Sequence, residues 1–243
     1  MQLSNNKILI TGGATGIGLA LAERFLQENN TVIICGRRET ILQEAVTKFP
    51  ALITRQCDLT DPSARVELYN WISKEHPGLN VIVNNAGIQQ WMNVDDDDFY
   101  QRATAEISTN IEAPLHLTSL FLKLPALKTL INVTSGLSFL PLTKAPVYSA
   151  TKAFFHSWTI SLRHLLRSRP IEVIEFIPPA LNTDLGGKGL HDYAPPVSGF
   201  IESVFTQLKE NKETITYGFS EAMSKAGPAE LQQAFERLNG ASN

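Results

Sequence analysis

Lysine and arginine are slightly outnumbered in this chain of 243 residues, with 21 of them against 24 aspartates and glutamates. The formal net charge is -3, the pI is about 6.0, and the longest basic cluster is Arg37-Arg38. A nucleic-acid-binding protein normally carries a strongly basic patch or stripe. The composition therefore predicts that no nucleic acid is a partner.

Cysteine is also scarce, since only Cys35 and Cys57 occur and each lies inside an apolar run. Two such thiols predict reduced core residues and not a disulfide framework. The five histidines are scattered and form no HExxH or similar pair. Zinc and other metal sites are therefore not expected.

Long apolar runs are missing as well. No run approaches the ~20 residues that span a membrane. The N-terminal sequence, MQLSNNKILITGG, reaches a strand-like segment without the charged and apolar leader of a signal peptide. We therefore expect a soluble, cytoplasmic protein without a membrane partner.

Apolar strand-like runs alternate with amphipathic helical segments along most of the chain, and 43% of its residues are hydrophobic. The expected strands are 7–11, 31–35, 51–57, 80–84, 129–133 and 171–177. The expected helices are 17–27, 39–48, 62–74, 96–123 with an interruption at Pro114, 148–167 and 228–238. Near-continuous Val, Ile and Leu strands between helices are typical of a parallel sheet covered on both faces. The prediction is one doubly wound α/β domain over residues 1–243, with α/β/α layers.

Residues 182–199 do not fit this alternation, because they are rich in glycine and proline and have no clear periodicity. The segment is too long for a simple connection, and loops of that length are often lids or disordered. We predict a lid here.

The first strand ends in TGGATGIG, residues 11–18, directly before a helix. Glycines at 12, 16 and 18 allow a tight turn and let the backbone approach a pyrophosphate, which the helix N-terminus stabilises. A purely structural turn is the alternative.

The end of the second strand indicates which dinucleotide such a turn binds. NAD sites usually carry an acidic residue about 20 positions beyond the glycines. This chain has Arg37 and Arg38 there, and guanidinium groups suit a 2′-phosphate. NADP(H) is favoured over NAD(H), although both arginines could simply begin the next helix.

The stretch YSATK places Tyr148 and Lys152 about one helical turn apart, so both side chains rise from one face. Taken alone, they could be an ordinary surface pair. The alternative is that the lysine makes the phenol an acid or base near neutral pH.

These motifs occur with others in a characteristic order: TGGATGIG at 11–18, NNAG at 84–87, Asn110 in the long helix, NVTS at 132–135, and Tyr148-x3-Lys152. The set resembles the short-chain dehydrogenase/reductase family over about residues 5–184. The resemblance implies a Rossmann fold and an oxidoreductase that moves a hydride between a dinucleotide and a small carbonyl or alcohol substrate.

The resemblance also implies the residues of the site. In the catalytic set, Tyr148 transfers the proton and Lys152 supports the phenolate and bonds the nicotinamide ribose; Ser135 holds the substrate oxygen, and Asn110 holds a water. Asp58 matches an adenine-contacting aspartate, with capping of the next helix before Pro62 as its alternative role. The implied cofactor-binding residues are Gly12, Thr15, Gly16, Ile17, Gly18, Arg37, Arg38, Asp58, Leu59, Asn85, Ala86, Gly87, Tyr148, Lys152, Pro178 and Thr183.

Two departures from the family pattern stand out. Pro179 replaces a frequent glycine after the sixth strand, and a proline there removes an N–H next to the expected nicotinamide position. The C-terminal part, with ETITYG at 213–218 and a helix at 228–238, is similar to a subgroup of bacterial oxidoreductases named for the dlt operon.

The substrate itself is not readable. The residues expected near it are 89–92, 137–147 and 185–190, a largely apolar set that could equally be packing. The resemblance implies a homodimer or homotetramer through helices 96–123 and 148–167, where Phe154, Phe155 and Trp158 belong to an interface or to the core. A non-catalytic NADP(H)-binding regulator is a competing function. An epimerase or dehydratase of the extended branch would need a further substrate domain.

Overall fold

The computed structural model describes residues 1–240. Seven strands form one sheet in the order β3-β2-β1-β4-β5-β6-β7, and all six pairings are parallel. The strands are β1 (Lys7–Thr11), β2 (Thr31–Gly36), β3 (Ile53–Gln56), β4 (Val81–Asn84), β5 (Thr129–Val133), β6 (Glu172–Ile177) and β7 (Thr214–Thr216). This is the predicted doubly wound Rossmann-type sheet, and it gains β7 at its edge.

Helices cover both faces of the sheet. They are α1 (Gly16–Gln27), α2 (Glu39–Lys48), α3 (Pro62–Glu75), α4 (Phe99–Ile107), α5 (Ala113–Phe121), α6 (Pro146–Leu165), α7 (Val197–Lys209), α8 (Phe219–Lys225) and α9 (Pro228–Asn239). Their boundaries follow local chemistry. Asp61, for example, caps α3 by accepting a 2.8 Å hydrogen bond from the Ser63 N–H, with Pro62 as the first helical residue.

Two apolar cores lie on opposite faces of the sheet. Successive side chains of a strand point to opposite faces, so Ile8 and Ile10 pack with α1 and α7 while Leu9 packs with α3, α5 and α6. Each fully buried large apolar side chain contributes about 1.5–3 kcal/mol. The parallel strands are apolar on both faces for this reason.

The predicted long helix 96–123 is wrong in detail. It is two α-helices joined by a π-helical turn, Ser108–Glu112. Pro114 has no N–H for the carbonyl four residues earlier, and the Ala113 N–H instead reaches back five residues to the Ser108 carbonyl. The interruption therefore lies before the proline, around Asn110, and not at Pro114 itself.

The predicted lid also ends earlier than expected. Helix α7 begins at Val197, after Pro195 and Pro196, so the irregular segment is residues 182–196. We call it the post-β6 loop. Helices α7 and α8 were not predicted from the sequence. No helix in residues 1–240 has the length and apolar character to cross a membrane.

Candidate active site

The glycine turn between β1 and α1 is shaped by contacts that exclude side chains. Gly12 and Gly16 have φ angles of 63° and 52°, which favour glycine. A Cβ on Gly18 would lie 2.3 Å from the Gly12 carbonyl oxygen. Thr15, the N-cap residue of α1, makes no side-chain cap hydrogen bond, so its side chain leaves the first N–H groups of the helix available to an anion.

The NNAG segment after β4 is tied to this turn by hydrogen bonds. The Thr11 hydroxyl accepts bonds from the N–H groups of Asn85 and Ala86, both at 3.0 Å. The Asn85 side chain donates to the Thr11 carbonyl at 2.9 Å and to the Gly12 carbonyl at 3.2 Å. The carboxyl ends of β1 and β4 therefore form one rigid unit.

Arg37 and Arg38 follow β2 and are both exposed. Neither guanidinium forms an ion pair with any residue from 1 to 240. Arg38 is the N-cap residue of α2, although its side chain makes no cap bond. Arg38 therefore does begin helix α2, as the alternative predicted, but only its backbone takes part. Its guanidinium has no role in the helix start.

Asp58 lies close to these arginines. Its Oδ1 accepts hydrogen bonds from the Thr60 N–H (3.0 Å) and hydroxyl (2.8 Å), while Asp61 caps α3. The side chain that caps α3 is thus that of Asp61, while Asp58 belongs to the turn before it, where its carbonyl accepts from the Asp61 N–H at 3.1 Å. The Thr60 N–H bond lowers the pKa of Asp58, and the charge of Arg37 lowers it further. Leu59, the next residue, is buried.

Tyr148 and Lys152 occupy the first turns of α6, which begins at Pro146. They are only 6% and 5% exposed, so they are not a surface pair. The Lys152 ammonium donates to the Val133 carbonyl at 2.9 Å and lies 5.6 Å from the centre of the Tyr148 ring. Burial lowers the pKa of Lys152 to about 8, which leaves it mostly charged at neutral pH.

The pKa of Tyr148 differs from expectation. We expected Lys152 to lower it, but burial raises it well above the ordinary value for tyrosine. A hydrogen bond with Ser135 opposes this effect, and the negative charge of Glu106 adds to it. At neutral pH the phenol is therefore protonated and set to donate its proton.

Ser135 follows β5 and accepts a 3.1 Å hydrogen bond from the Leu137 N–H. The next residue, Gly136, donates its N–H to the Pro178 carbonyl at 2.9 Å, which joins the ends of β5 and β6. Pro179 follows by a trans peptide bond. The serine hydroxyl is held next to Tyr148 by both the 3-10 turn Gly136–Ser138 and the sheet.

Asn110 lies in the π-helical turn with its side chain fully engaged. Its Oδ1 accepts from the Ile88 N–H and its Nδ2 donates to the Ile88 carbonyl, both at 2.9 Å, with a further bond to Thr151 at 3.1 Å. A Cβ on Gly87 would lie 3.4 Å from Asn110 Oδ1 and 3.6 Å from Lys152 Nζ. The structure thus brings Asn110 beside Lys152, but its side-chain amide is already bound to Ile88 and Thr151.

Glu106 is a site residue that the sequence reasoning missed. It is fully buried on α4, and its Oε1 accepts a 2.6 Å hydrogen bond from the Gln90 N–H. Burial raises its pKa to about 7. The signal in the sequence is a glutamate four residues before Asn110, which is one turn along the same helical face.

A second missed group supports the Ser135 loop. Glu175 is fully buried in β6, where it accepts a 2.7 Å bond from the Thr134 hydroxyl and contacts His156 Nδ1 at 2.8 Å. Thr134 precedes Ser135, and His156 lies one turn beyond Lys152. The signal was an acidic residue inside the apolar run IEVIEFI.

The post-β6 loop crosses the top of the site. A Cβ on Gly16 would lie 3.4 Å from the Thr183 methyl group, and one on Gly186 would lie 3.2 Å from the Gln89 carbonyl oxygen. The loop is closed on itself by the Asn182 N–H bond to the Pro195 carbonyl at 2.9 Å. It therefore spans from the glycine turn to the segment after NNAG.

Other residues expected near the substrate are brought together in part. The Lys144 ammonium lies 5.5 Å from the centre of the Trp91 ring, and the Met92 N–H bonds to the Lys144 carbonyl at 3.1 Å, whereas Lys188 is exposed on the loop. On α6, Phe155 is buried in the core and Phe154 is 43% exposed. No cluster of three or more His, Cys, Asp or Glu side chains suited to a metal occurs in residues 1–240.

Comparison with known proteins places this site in a family. A family profile described as short chain dehydrogenase matches residues 6–193. The chain is 42% identical to "Uncharacterized oxidoreductase DltE" of Bacillus subtilis (strain 168) over 259 aligned positions that cover 100% of both chains. It is 28% identical to "NADP-dependent 3-hydroxy acid dehydrogenase YdfG" of Escherichia coli (strain K12), covering 70% of this chain and 71% of the relative. The predicted likeness to the dlt-named subgroup is thereby confirmed.

Among solved structures, a short chain dehydrogenase from Burkholderia cenocepacia J2315, crystallised with NADP, superposes with a TM-score of 0.84 at 23% identity. The superposition covers 98% of this chain and 99% of the other, and at this identity it supports the fold. The chain therefore belongs to the short chain dehydrogenase family and is an oxidoreductase of that NAD(P)-using family.

Proposed function

We propose that the protein is an NADP(H)-dependent carbonyl reductase or alcohol dehydrogenase with Tyr148 as its general acid and base. The observation that carries the proposal is a buried phenol that lies beside the Lys152 ammonium, with the Ser135 hydroxyl near it. Three groups of these types in one buried place suit proton transfer to a carbonyl oxygen.

Each residue has a defined task in this proposal. NADPH, when bound, supplies the hydride. The protonated Tyr148 donates its proton to the substrate oxygen, and Ser135 donates a hydrogen bond that stabilises the developing negative charge. Lys152, charged below about pH 8, stabilises the phenolate that remains. The Asn110 side chain anchors Ile88. The backbone carbonyl of Asn110 would hold a water that returns a proton to Tyr148.

The residues present also fit NADP(H). The uncapped start of α1 and the glycines at 12, 16 and 18 suit a pyrophosphate, and two exposed guanidiniums without ion-pair partners in residues 1–240 suit a 2′-phosphate. A name such as that of the E. coli relative, an NADP-dependent 3-hydroxy acid dehydrogenase, supports the same choice. We assign NADP(H) before NAD(H).

The first test is a fluorescence titration of the protein with NADPH and with NADH. We expect Arg37→Ala to weaken NADPH binding about 10- to 100-fold, as expected for the loss of a charge-assisted hydrogen bond, and to leave NADH binding unchanged. Arg237→Ala, an exposed arginine on α9, is the control and should bind like the parent. Equal affinity of the parent for both nucleotides would refute the cofactor assignment.

A non-catalytic NADP(H)-binding regulator is the second candidate, because Pro179 removes an N–H beside the site. It predicts tight NADPH binding without reduction of any carbonyl compound. Screening aldehydes and ketones by NADPH absorbance separates the two candidates.

We also propose that the protein forms a homodimer or homotetramer in the cytoplasm. Helix α6 exposes Phe154, Ile160 and Leu165, the last at 65%, and exposed apolar side chains suit a self-interface. The free thiols of Cys35 and Cys57 suit a reducing compartment. Sedimentation equilibrium of the parent and of Leu165→Glu tests the assembly, since a monomeric parent would refute it.

A further inference from the structure

The single hydrogen bond that Glu106 makes does not require a carboxyl group. It is fully buried on α4, and its Oε1 takes the Gln90 N–H at 2.6 Å. Its Oε2 is also buried and has no hydrogen-bond partner among residues 1–240. A glutamine would hold the Gln90 N–H equally well, so this hydrogen bond does not explain why an acid is present here. The charge of Arg102, one turn earlier on α4, also acts on the carboxyl.

A buried carboxyl oxygen without a hydrogen-bond partner lowers the stability of the fold. Such groups are concentrated at functional sites, where a ligand supplies the missing partner. The surroundings of Glu106 point the same way. Its negative charge is close enough to raise the pKa of the Tyr148 phenol. Its partner Gln90 adjoins Gln89, whose carbonyl oxygen faces Gly186 of the post-β6 loop. Glu106 therefore lies near the reacting phenol and is bonded to the segment that the post-β6 loop contacts.

The charges around Glu106 define what kind of group fits. Arg102, one turn earlier on α4, is held by Asp96 and Asp98. This guanidinium is shared with two other carboxylates, and the ammonium of Lys152 is bonded to a backbone carbonyl. A second carboxylate beside Glu106 would be repelled, whereas a hydroxyl or an ammonium would find an acceptor.

We propose that Glu106 Oε2 accepts a hydrogen bond from the substrate. The donor is a hydroxyl or ammonium group on the carbon next to the carbonyl carbon. This inference rests on the proposed reductase activity. It names the substrate class as hydroxy or amino carbonyl compounds, in preference to plain ketones and to keto acids.

The test uses four ketones of similar size: hydroxyacetone, aminoacetone, 2-butanone and pyruvate, each assayed by NADPH oxidation. The parent should prefer hydroxyacetone or aminoacetone over 2-butanone in kcat/KM. Glu106→Gln should reduce that preference by about 10- to 100-fold, the effect of losing a hydrogen bond to a charged group. Glu112→Gln, an exposed glutamate further along the chain, is the matched control and should keep the parent's ratio.

An equal loss of kcat/KM toward all four compounds in Glu106→Gln would overturn the inference and make Glu106 a structural residue. Preference of the parent for pyruvate would overturn it as well. Both results would leave the proposed reductase activity intact.

A second measurement does not depend on turnover. Infrared difference spectra of the protein with NADPH should show the carboxyl band of Glu106, identified by its loss in Glu106→Gln, shifting with hydroxyacetone and not with 2-butanone. An unmoved band overturns the inference. NADPH binding with a shifted band but no oxidation would instead count against the reductase function.

Discussion

Buried polar groups differ in charge and in hydrogen bonding between the two ends of the sheet. At the amino ends of β1, β2 and β4, three asparagines form a closed network. Asn30 Oδ1 accepts from both the N–H and the side chain of Asn6 at 2.9 Å, and its amide donates to the carbonyls of Leu3 and Phe25. Asn80 donates to Asn6 Oδ1 at 3.0 Å and accepts from the backbone at Lys7. These groups are neutral, and their bonds are made within the protein.

At the carboxyl ends several of the buried polar groups are ionisable, and some of these are incompletely bonded. Burial raises the pKa of Tyr148 and of Glu106 and lowers that of Lys152. One carboxyl oxygen each of Glu106 and Glu175, and both ring nitrogens of His191, have no hydrogen-bond partner among residues 1–240. The comparison indicates that one end of the sheet serves stability and the other gives up stability for chemistry.

The largest effect should come from the phenol. Tyr148→Phe should lower kcat about 10²- to 10⁴-fold, the usual contribution of a positioned general acid, with little change in unfolding free energy. Tyr100→Phe, whose side chain is 77% exposed, is the control. Full activity in Tyr148→Phe, measured by NADPH oxidation, would contradict the division between the two ends.

The amino end should respond in the reverse sense. Asn30→Ala leaves the Asn6 N–H and the Leu3 carbonyl without their partners, while the Phe25 carbonyl keeps the backbone N–H of residue 30. It should therefore reduce the unfolding free energy by about 2–4 kcal/mol. Urea denaturation measures this loss, with the exposed Asn70→Ala as control. The kcat/KM of the folded variant should match the parent, and a selective loss of kcat/KM would show that the amino end also serves catalysis.

Titration of Lys152 should move activity and stability in opposite directions. Its pKa falls from 10.5 to about 8 in the folded protein. Carbonyl reduction should fall about tenfold per pH unit above about 8, as the ammonium is lost. Between pH 8 and pH 10.5 Lys152 binds more protons in the unfolded chain than in the folded protein. The contribution of this group to stability therefore rises with pH over that interval. Lys152→Met should remove that slope in thermal melts, and an unchanged slope would refute the assignment.

Titration of Glu106 should also affect stability. Its pKa rises from 4.5 to about 7 on folding, so the folded state binds more protons in that interval and loses stability as pH rises through it. Glu106→Gln should therefore be more stable than the parent at pH 7, by at most the ~3 kcal/mol that a shift of this size implies, and its Tm should be higher. The gain should vanish below about pH 4.5; a gain independent of pH would point to packing instead.

Some of the site was predictable because its causes are local. A strand–glycine–helix sequence needs only neighbouring residues to form its turn, and the Tyr148–Lys152 spacing places both side chains on one face through helix geometry alone. The π-helical turn at 108–112 was not predicted, although the sequence indicates an interruption of the helix at Pro114. A missing N–H can be absorbed by more than one backbone geometry, and packing around Asn110 selects among them.

The pairings of distant residues were beyond sequence reasoning for a different reason. Glu106 meets Gln90, Asn110 meets Ile88, and Glu175 meets Thr134 and His156 only after the helices dock on the sheet.

The sequence by itself determined the doubly wound sheet, the glycine turn and the order of the catalytic motifs, because apolar periodicity and backbone sterics act over a few residues. Only the tertiary structure decided the electrostatics of the site. The shifts in the pKa values of Tyr148, Lys152 and Glu106 come from burial and from charges on other elements. Those surroundings exist only once separate segments of the chain exclude water together.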